Sequence, residues 1–153
     1  MERTLIIIKP DAVERGLVGQ VTDRFEKKGL KLVGCKMMNL SEKILKEHYA
    51  HIADKPFFPG VRDFMMSTPV ILQCWEGLEA VETVRLLTGV TNARQAQPGS
   101  IRGDLAMSIQ SNIVHTSDSL ETAQKEVARF FQDEELFDWN MAKERFIYAE
   151  SEL

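Results

Sequence analysis

The unbroken apolar run Leu5-Ile6-Ile7-Ile8 stops at Pro10-Asp11, and predicts a central strand over residues 4–9 that proline terminates. Val21 and Phe25, four apart among charges, predict a helix over residues 19–28 with Gly29 as its C-terminal stop. Residues 31–39 resume as a strand. Ser41 is placed to cap a helix reaching about His51, with Ile44, Leu45, His48 and Tyr49 on one side, and a second short helix is expected after Pro56. Residues 69–75 read as the third strand, and Val81, Val84 and Leu87 fall at helical spacing over residues 79–87. Residues 109–115 turn strand-like again. Asp118 with Glu121 forms a candidate capping box for a last helix, whose Leu120, Ala123, Val127, Phe130 and Phe131 make one apolar stripe.

Between the fourth helical pattern and the fourth strand, TGVTNARQAQPGSIRG over residues 88–103 has no periodicity and several glycines. It predicts a long ordered loop, and loops of about 15 residues in compact domains tend to carry function. The element order suits an α+β fold, a four-stranded antiparallel sheet with helices on one face. The split βαβ, ferredoxin-like arrangement is the simplest such topology.

Length and composition narrow this. A chain of 153 residues fits one domain, residues 1–153, and a chain of this size buries roughly 68–70% of its unfolded surface. The apolar N-terminal run is too short to span a bilayer and lacks a signal-peptide pattern, so a cytoplasmic protein is expected. Cys35 and Cys74 both lie in apolar stretches and read as two buried reduced thiols. A net charge of −4 argues against broad electrostatic binding of nucleic acid or an anionic membrane, and leaves room for a local basic pocket.

Several chemistries lack their motif. The nearest approach to a phosphate-binding G-x-x-x-x-G-K-[ST] is Gly29 to Lys36, which misplaces the lysine and has no following hydroxyl. There is no G-x-G-x-x-G. His48 and His51 are three apart on one predicted helix, but two imidazoles without a third ligand are poor grounds for a metal.

Of the three histidines, His115 stands at a strand end just before a helix N-terminus, a junction that favours negative charge. From position alone, a structural role is the commoner fate of such a residue. Lys9 at the end of the first strand, Arg85, and Arg102 among glycines that permit close approach to a ligand shift the balance towards an anion pocket. Surface ion pairing remains the ordinary alternative for both arginines. Phe57 and Phe58 could form a core pair, or expose one ring for stacking on a base.

The chain resembles the nucleoside diphosphate kinase family along nearly its whole length, in IKPDAVERGLVG (8–19), KEHYAHIADKPFF (46–58), STPV (67–70), WEG (75–77), PGSIRGD (98–104) and NIVHTSDS (112–119). The resemblance implies a ferredoxin-like α/β sandwich in which His115 takes the γ-phosphate of a nucleoside triphosphate and passes it to a nucleoside diphosphate. It implies that Lys9, Arg85, Thr91, Arg102 and Asn112 hold phosphates or ribose, with Lys9 and Asn112 near the sugar hydroxyl. Phe57 would stack on the base with Val61 and Ile109 completing an apolar slot, and Tyr49, Ser117 and Glu126 would support the histidine. Mg²⁺ would arrive on the nucleotide phosphates rather than on protein ligands.

These residue types suit phosphoryl transfer, where the protein positions groups and stabilises charge on the transferring oxygens. Arginine offers bidentate contact and lysine a point charge. A carboxylate on one imidazole nitrogen would leave the other free to attack, and Glu126 is the candidate; the alternative is an exposed glutamate paired with Lys125 or Arg129.

The sequence departs from the family pattern at Thr116, usually glycine or alanine, at Gln110-Ser111, and at Ala93, where proline is frequent near subunit contacts. Thr116 is expected to fit without positive φ, its hydroxyl bonded locally. The segment FDWNMAKERFIYAESEL is of the longer kind that goes with hexamers rather than tetramers in this family. Two other readings are a family member kept for nucleotide binding without turnover, and a ferredoxin-like regulatory domain without phosphate chemistry.

Overall fold

A computed structural model describes residues 1–153. Its strands are β1 (Glu2–Ile8), β2 (Lys31–Met38), β3 (Val70–Gly77) and β4 (Val114–Thr116). Its α-helices are α1 (Pro10–Glu14), α2 (Val18–Lys28), α3 (Glu42–His48), α4 (Phe58–Met65), α5 (Ala80–Thr88), α6 (Ile101–Leu105) and α7 (Leu120–Phe130). The strands form one antiparallel sheet in the order β2-β3-β1-β4, so the first strand is central, as its apolar run predicts. No helix is long and apolar enough to cross a membrane.

Helices cover both faces of the sheet, not one. Leu5 and Ile7 pack with Leu45, Phe58, Met65, Val127 and Phe130 from α3, α4 and α7. Ile6 and Ile8 pack with Val21, Phe25, Val84 and Ile101 from α2, α5 and α6. The cause is in β1 itself: four consecutive apolar residues leave no polar face for solvent, and burying each contributes about 1.5–3 kcal/mol. On the α2 side, Trp75 lies 5.6 Å from the Phe25 ring, and its Nε1 donates to Gln73, whose amide donates to Thr22 on α2.

Most ends fall where local chemistry puts them. Gly29 closes α2 at φ 105, and the Ser41 hydroxyl accepts from the Ile44 amide to start α3. Three expectations are corrected. The last helix is capped by Ser119, whose Oγ accepts from the Thr122 amide, and not by Asp118. α3 ends at His48, with the chain turning at Tyr49. Cys35 is exposed on edge strand β2, whereas Cys74 is buried; both are free thiols.

The stretch 88–103 carries a 3-10 turn at Ala93–Gln95, and its last residues open α6 with Ser100 as cap. The fourth strand is shorter than the 109–115 expected from the sequence because Ile113 has φ 76 and sits in a tight turn where Val114 N–H donates to Asn112 C=O. Such a γ-turn is rare and strained, and strains a β-branched residue most. The register Ile6↔Thr116, Ile7↔His115, Ile8↔Val114 then decides which way each side chain points. His115 shares the Ile7 face, towards α3 and α7, and a slip of one residue would send it to the other layer.

Candidate active site

Two segments meet at the end of β1. The Lys9 amide donates to Ile113 C=O at 2.9 Å, and the Ile113 amide donates to Asp11 Oδ2 at 3.0 Å. The strained turn is therefore held from both sides by the start of α1, where Pro10 presets the helix. Lys9 Nζ donates to Asn112 Oδ1 at 2.8 Å, and Asn112 Nδ2 donates to the carbonyls of Thr91 and Ile109 at 2.9 and 3.0 Å. This side chain thus ties the lysine to the loop after α5.

Arg102 is buried and staples the same region. It donates to the carbonyls of Asn112 (3.2 Å), Gly89 (2.8 Å) and Val114 (2.7 Å), three of its five N–H groups. Two donors remain. Glycine is required nearby: a Cβ on Gly103 would lie 2.0 Å from Gln97 O, and Gly89 has φ 81 with Ser100 Oγ 2.5 Å from where its Cβ would be. Burial, then the charge of Arg102, pushes Lys9 down to about 8 against the pull of Asp11, and burial pushes Arg102 down to about 10. Both cations are short of counter-charge, which an incoming polyanion would supply.

The histidine is held by a second set. His115 Nε2 lies 2.9 and 3.1 Å from the two oxygens of Glu126, and Ser117 Oγ donates to Oε2 of the same carboxylate at 2.5 Å. Glu126 and Ser117 are buried, so the exposed-glutamate alternative is excluded: Lys125 pairs with Glu121, and Arg129 with Glu47. Burial alone would raise Glu126, but hydrogen bonds from His115 and Ser117 hold it below the ordinary carboxylate range. His115 Nδ1 makes no hydrogen bond within the protein.

His48 packs edge-on against His115, with ring centres 4.4 Å apart, and is pushed down to about 3, first by burial and then by His115. Tyr49 abuts His48 at 4.7 Å, and burial followed by the Glu126 charge pushes its phenol up to about 12. Ligand atoms of His48, His115 and Glu126 lie within 4.8 Å of one another. The carboxylate is already taken by His115 and Ser117, and the Arg129 guanidinium lies against His48, so the trio reads as a hydrogen-bonded cluster rather than a metal centre.

These groups line an open cleft of about 960 Å³. Lys9, Tyr49, Arg85, Thr91, Arg102, Ile109, Asn112, His115 and Glu126 all border it, with Ser117 behind Glu126. Arg85 is exposed on α5 and donates to the Asp118 carbonyl at 2.6 Å, fixing its fork beside β4. Phe57 and Val61 do not border the cleft. Phe57 is 57% exposed just ahead of α4 while Phe58 is buried, which resolves the pair into one free ring and one core ring. Thr116 is not among the residues with positive φ, as expected, but its hydroxyl makes no hydrogen bond to the protein.

Sequence reasoning missed Asp11 and His48 as parts of this site. His48 had one visible signal, its place on the apolar side of α3 beside Leu45. Asp11 had none, because its partner is 102 positions away.

A family model described as nucleoside diphosphate kinase matches residues 2–136. The chain is 55% identical over 152 residues to the nucleoside diphosphate kinase of Parabacteroides distasonis, covering 99% of both chains. It is 50% identical over 147 residues to nucleoside diphosphate kinase A of Homo sapiens, covering 96% and 97%. Among solved structures it is similar to a halophilic nucleoside diphosphate kinase from Halobacterium salinarum in complex with CDP, with a TM-score of 0.93, 45% identity and coverage of 96% and 98%. A nucleoside diphosphate kinase family protein from Babesia bovis matches with a TM-score of 0.93 and 42% identity, over 97% and 100% of the two chains.

Proposed function

Because the chain belongs to the nucleoside diphosphate kinase family, we propose that it moves the γ-phosphate of a nucleoside triphosphate, mainly ATP, to a nucleoside diphosphate through a phosphohistidine at His115. The single observation that carries this reading is the His115 ring in the cationic cleft, with Nε2 held by Glu126 and Nδ1 unbonded.

Nδ1 is then the nucleophile. Its lone pair attacks the γ-phosphorus, the bond from phosphorus to the β,γ-bridging oxygen breaks, and that oxygen leaves with the electrons as the nucleoside diphosphate. The proton on Nε2 stays between His115 and Glu126, which stabilises the positive charge the ring gains. In the return half, a β-phosphate oxygen of a second nucleoside diphosphate attacks the same phosphorus and the N–P bond breaks. The first product leaves before the second substrate reacts, a ping-pong order.

Lys9 and the two free donors of Arg102 stabilise charge on the phosphates, and Arg85 clamps from α5. Thr91 and Asn112 complete the contacts, with Lys9 and Asn112 beside the ribose. Phe57 stacks on the base with Val61 and Ile109 against its edges; a ring that reads only the π-face admits any base. Tyr49 and Ser117 brace the histidine and its carboxylate.

The donor chemistry of the cleft fits Mg²⁺ carried on the phosphates: its acidic rim at Asp118 and Glu82 offers the hard oxygens this ion takes, without a closed protein cage. When bound, Mg²⁺ neutralises phosphate charge.

Residues 1–153 act as one domain in a cytoplasmic enzyme that maintains nucleoside triphosphate pools. A homohexamer is the proposed assembly, supported by apolar side chains exposed in the single chain at Phe137, Trp139 and Phe146. Incubation with γ-labelled ATP is expected to leave an acid-labile label on the protein, absent in His115→Ala. Full labelling of that variant would overturn the mechanism.

A further inference from the structure

Arg129 follows Glu126 by three residues on α7, and its Nη1 lies 3.3 Å from Nδ1 of His48. A guanidinium has donors only, so this contact requires a lone pair on His48 Nδ1 and puts the ring proton on Nε2. Yet His48 Nε2 is buried with no partner. The opposite tautomer would turn an N–H from Nδ1 towards Glu126 Oε1, which at 3.7 Å is a short ring movement beyond hydrogen-bond range, and would set that proton against the Arg129 donor. With Nε2 unpartnered in either form, whatever meets Nδ1 decides between the two.

The surroundings leave one candidate. The groups facing His48 are Glu126 and Arg129 from α7, His115 from β4, and Tyr49 and His51 just beyond α3, with the Phe130 ring closing the pocket at 5.1 Å. Of these, only Arg129 donates to Nδ1. Its own fork is fixed by Nε, which donates to Glu47 at 3.1 Å. Glu126 Oε1 is thus the contested atom, 3.1 Å from His115 Nε2 and 3.7 Å from His48 Nδ1.

We propose that Arg129 is a positioning residue for phosphoryl transfer: by donating to Nδ1 it locks His48 in the Nε2–H tautomer and so reserves the Glu126 carboxylate for His115. Without Arg129, His48 turns its proton towards Glu126 and divides the charge that holds the attacking ring. The inference rests on His115 as the phosphate acceptor. The two fail separately, since tautomers are read with no nucleotide present, whereas the acceptor is read by the acid-labile label.

The test is a long-range ¹H–¹⁵N correlation spectrum of the histidine rings in the intact protein, paired with steady-state kinetics. The wild type is expected to show His48 as Nε2–H. Arg129→Leu is expected to shift it towards Nδ1–H and to lower kcat about fivefold with KM unchanged, and Arg129→Lys to recover part of the loss. Glu47→Gln removes the charge of the neighbouring ion pair but keeps an acceptor oxygen for Arg129 Nε, and is expected to leave the tautomer as in the wild type; a shift towards Nδ1–H there would show that the Glu47 charge, not the Arg129 donor, sets the ring. In a His48→Phe background, removing Arg129 has no further effect on kcat. An Nδ1–H tautomer in the wild type overturns the proposal, as does an equal kcat loss from Arg129→Leu with and without His48. If His48→Phe does not fold, the spectrum of Arg129→Leu decides alone: an unchanged tautomer overturns the proposal.

Discussion

Glu126 meets Nε2 of His115 through both carboxylate oxygens, at 2.9 and 3.1 Å, across the gap between β4 and the second turn of α7. The contact depends on the Ile7↔His115 register, which turns the imidazole towards the helix. In Glu126→Gln the shape is kept and the charge is lost. We expect kcat to fall about 10- to 100-fold with little change in KM, because the carboxylate acts on charge that develops during transfer. Rapid-quench measurement of the first phosphorylation step reads this; a change confined to KM would show that Glu126 acts on binding instead.

Lys9 carries the pH prediction. Its ammonium is pushed down to about 8, so in the free enzyme it loses its charge as pH rises through that value. The cationic form is the one that binds phosphate, and kcat/KM, which reports the free enzyme, is expected to fall above about pH 8. Stability moves the opposite way. Between 8 and the ordinary 10.5 the unfolded chain holds the extra proton, so this residue's contribution to stability rises with pH across that window. Lys9→Arg should move the alkaline limb of kcat/KM up by at least about one unit, since a guanidinium keeps its proton. An unmoved limb would assign it to another group.

Asp11 is placed to hold the strained turn. Its Oδ2 accepts from the Ile113 amide, and Ile113 at φ 76 has no low-energy reason to stay there. Asp11→Ala leaves a buried N–H unpaired and is expected to cost about 1–3 kcal/mol of stability, read as a lowered urea midpoint. Asp11→Asn keeps an acceptor oxygen and should recover most of it. Equal losses in the two variants would point to the charge on Asp11, not to the hydrogen bond.

Thr116 pairs with Ile6 in the β1–β4 ladder and needs no positive φ. Thr116→Gly therefore relieves nothing and loses strand preference, an expected destabilisation of about 0.5–1 kcal/mol with turnover little changed. Thermal unfolding and a coupled kinase assay read the two quantities. A hundredfold gain in turnover would show that the threonine obstructs the histidine.

What was legible in the chain is local. The apolar run of β1, the Gly29 stop and the Ser41 cap were readable because each is set by a few neighbouring residues and by sterics that act within one turn. His115, Lys9 and Arg102 were readable as candidate chemistry from their places at element ends and from the motifs around them. The cover on both faces of the sheet was implicit in Leu5 to Ile8, since a strand with no polar face must be buried twice, although the simplest topology hid it.

The rest is decided by contacts between distant segments. Lys9 reaches Asn112 across 103 positions, Arg129 reaches His48 across 81, and Asp11 pins Ile113 across 102. Local propensity has no access to such pairs. It reads residues 109–113 as strand because they run into the apolar, β-branched pair Ile113-Val114, whereas the fold bends them into a strained turn that Asp11 and Lys9 stabilise from outside. The chain by itself determined which side chains were available for phosphate chemistry. Only tertiary structure decided that Glu126 is buried against His115, that Arg102 spends three donors on carbonyls, and that a second histidine sits beside the first. Each of these depends on desolvation and hydrogen-bond competition, and both come into being only when the layers close.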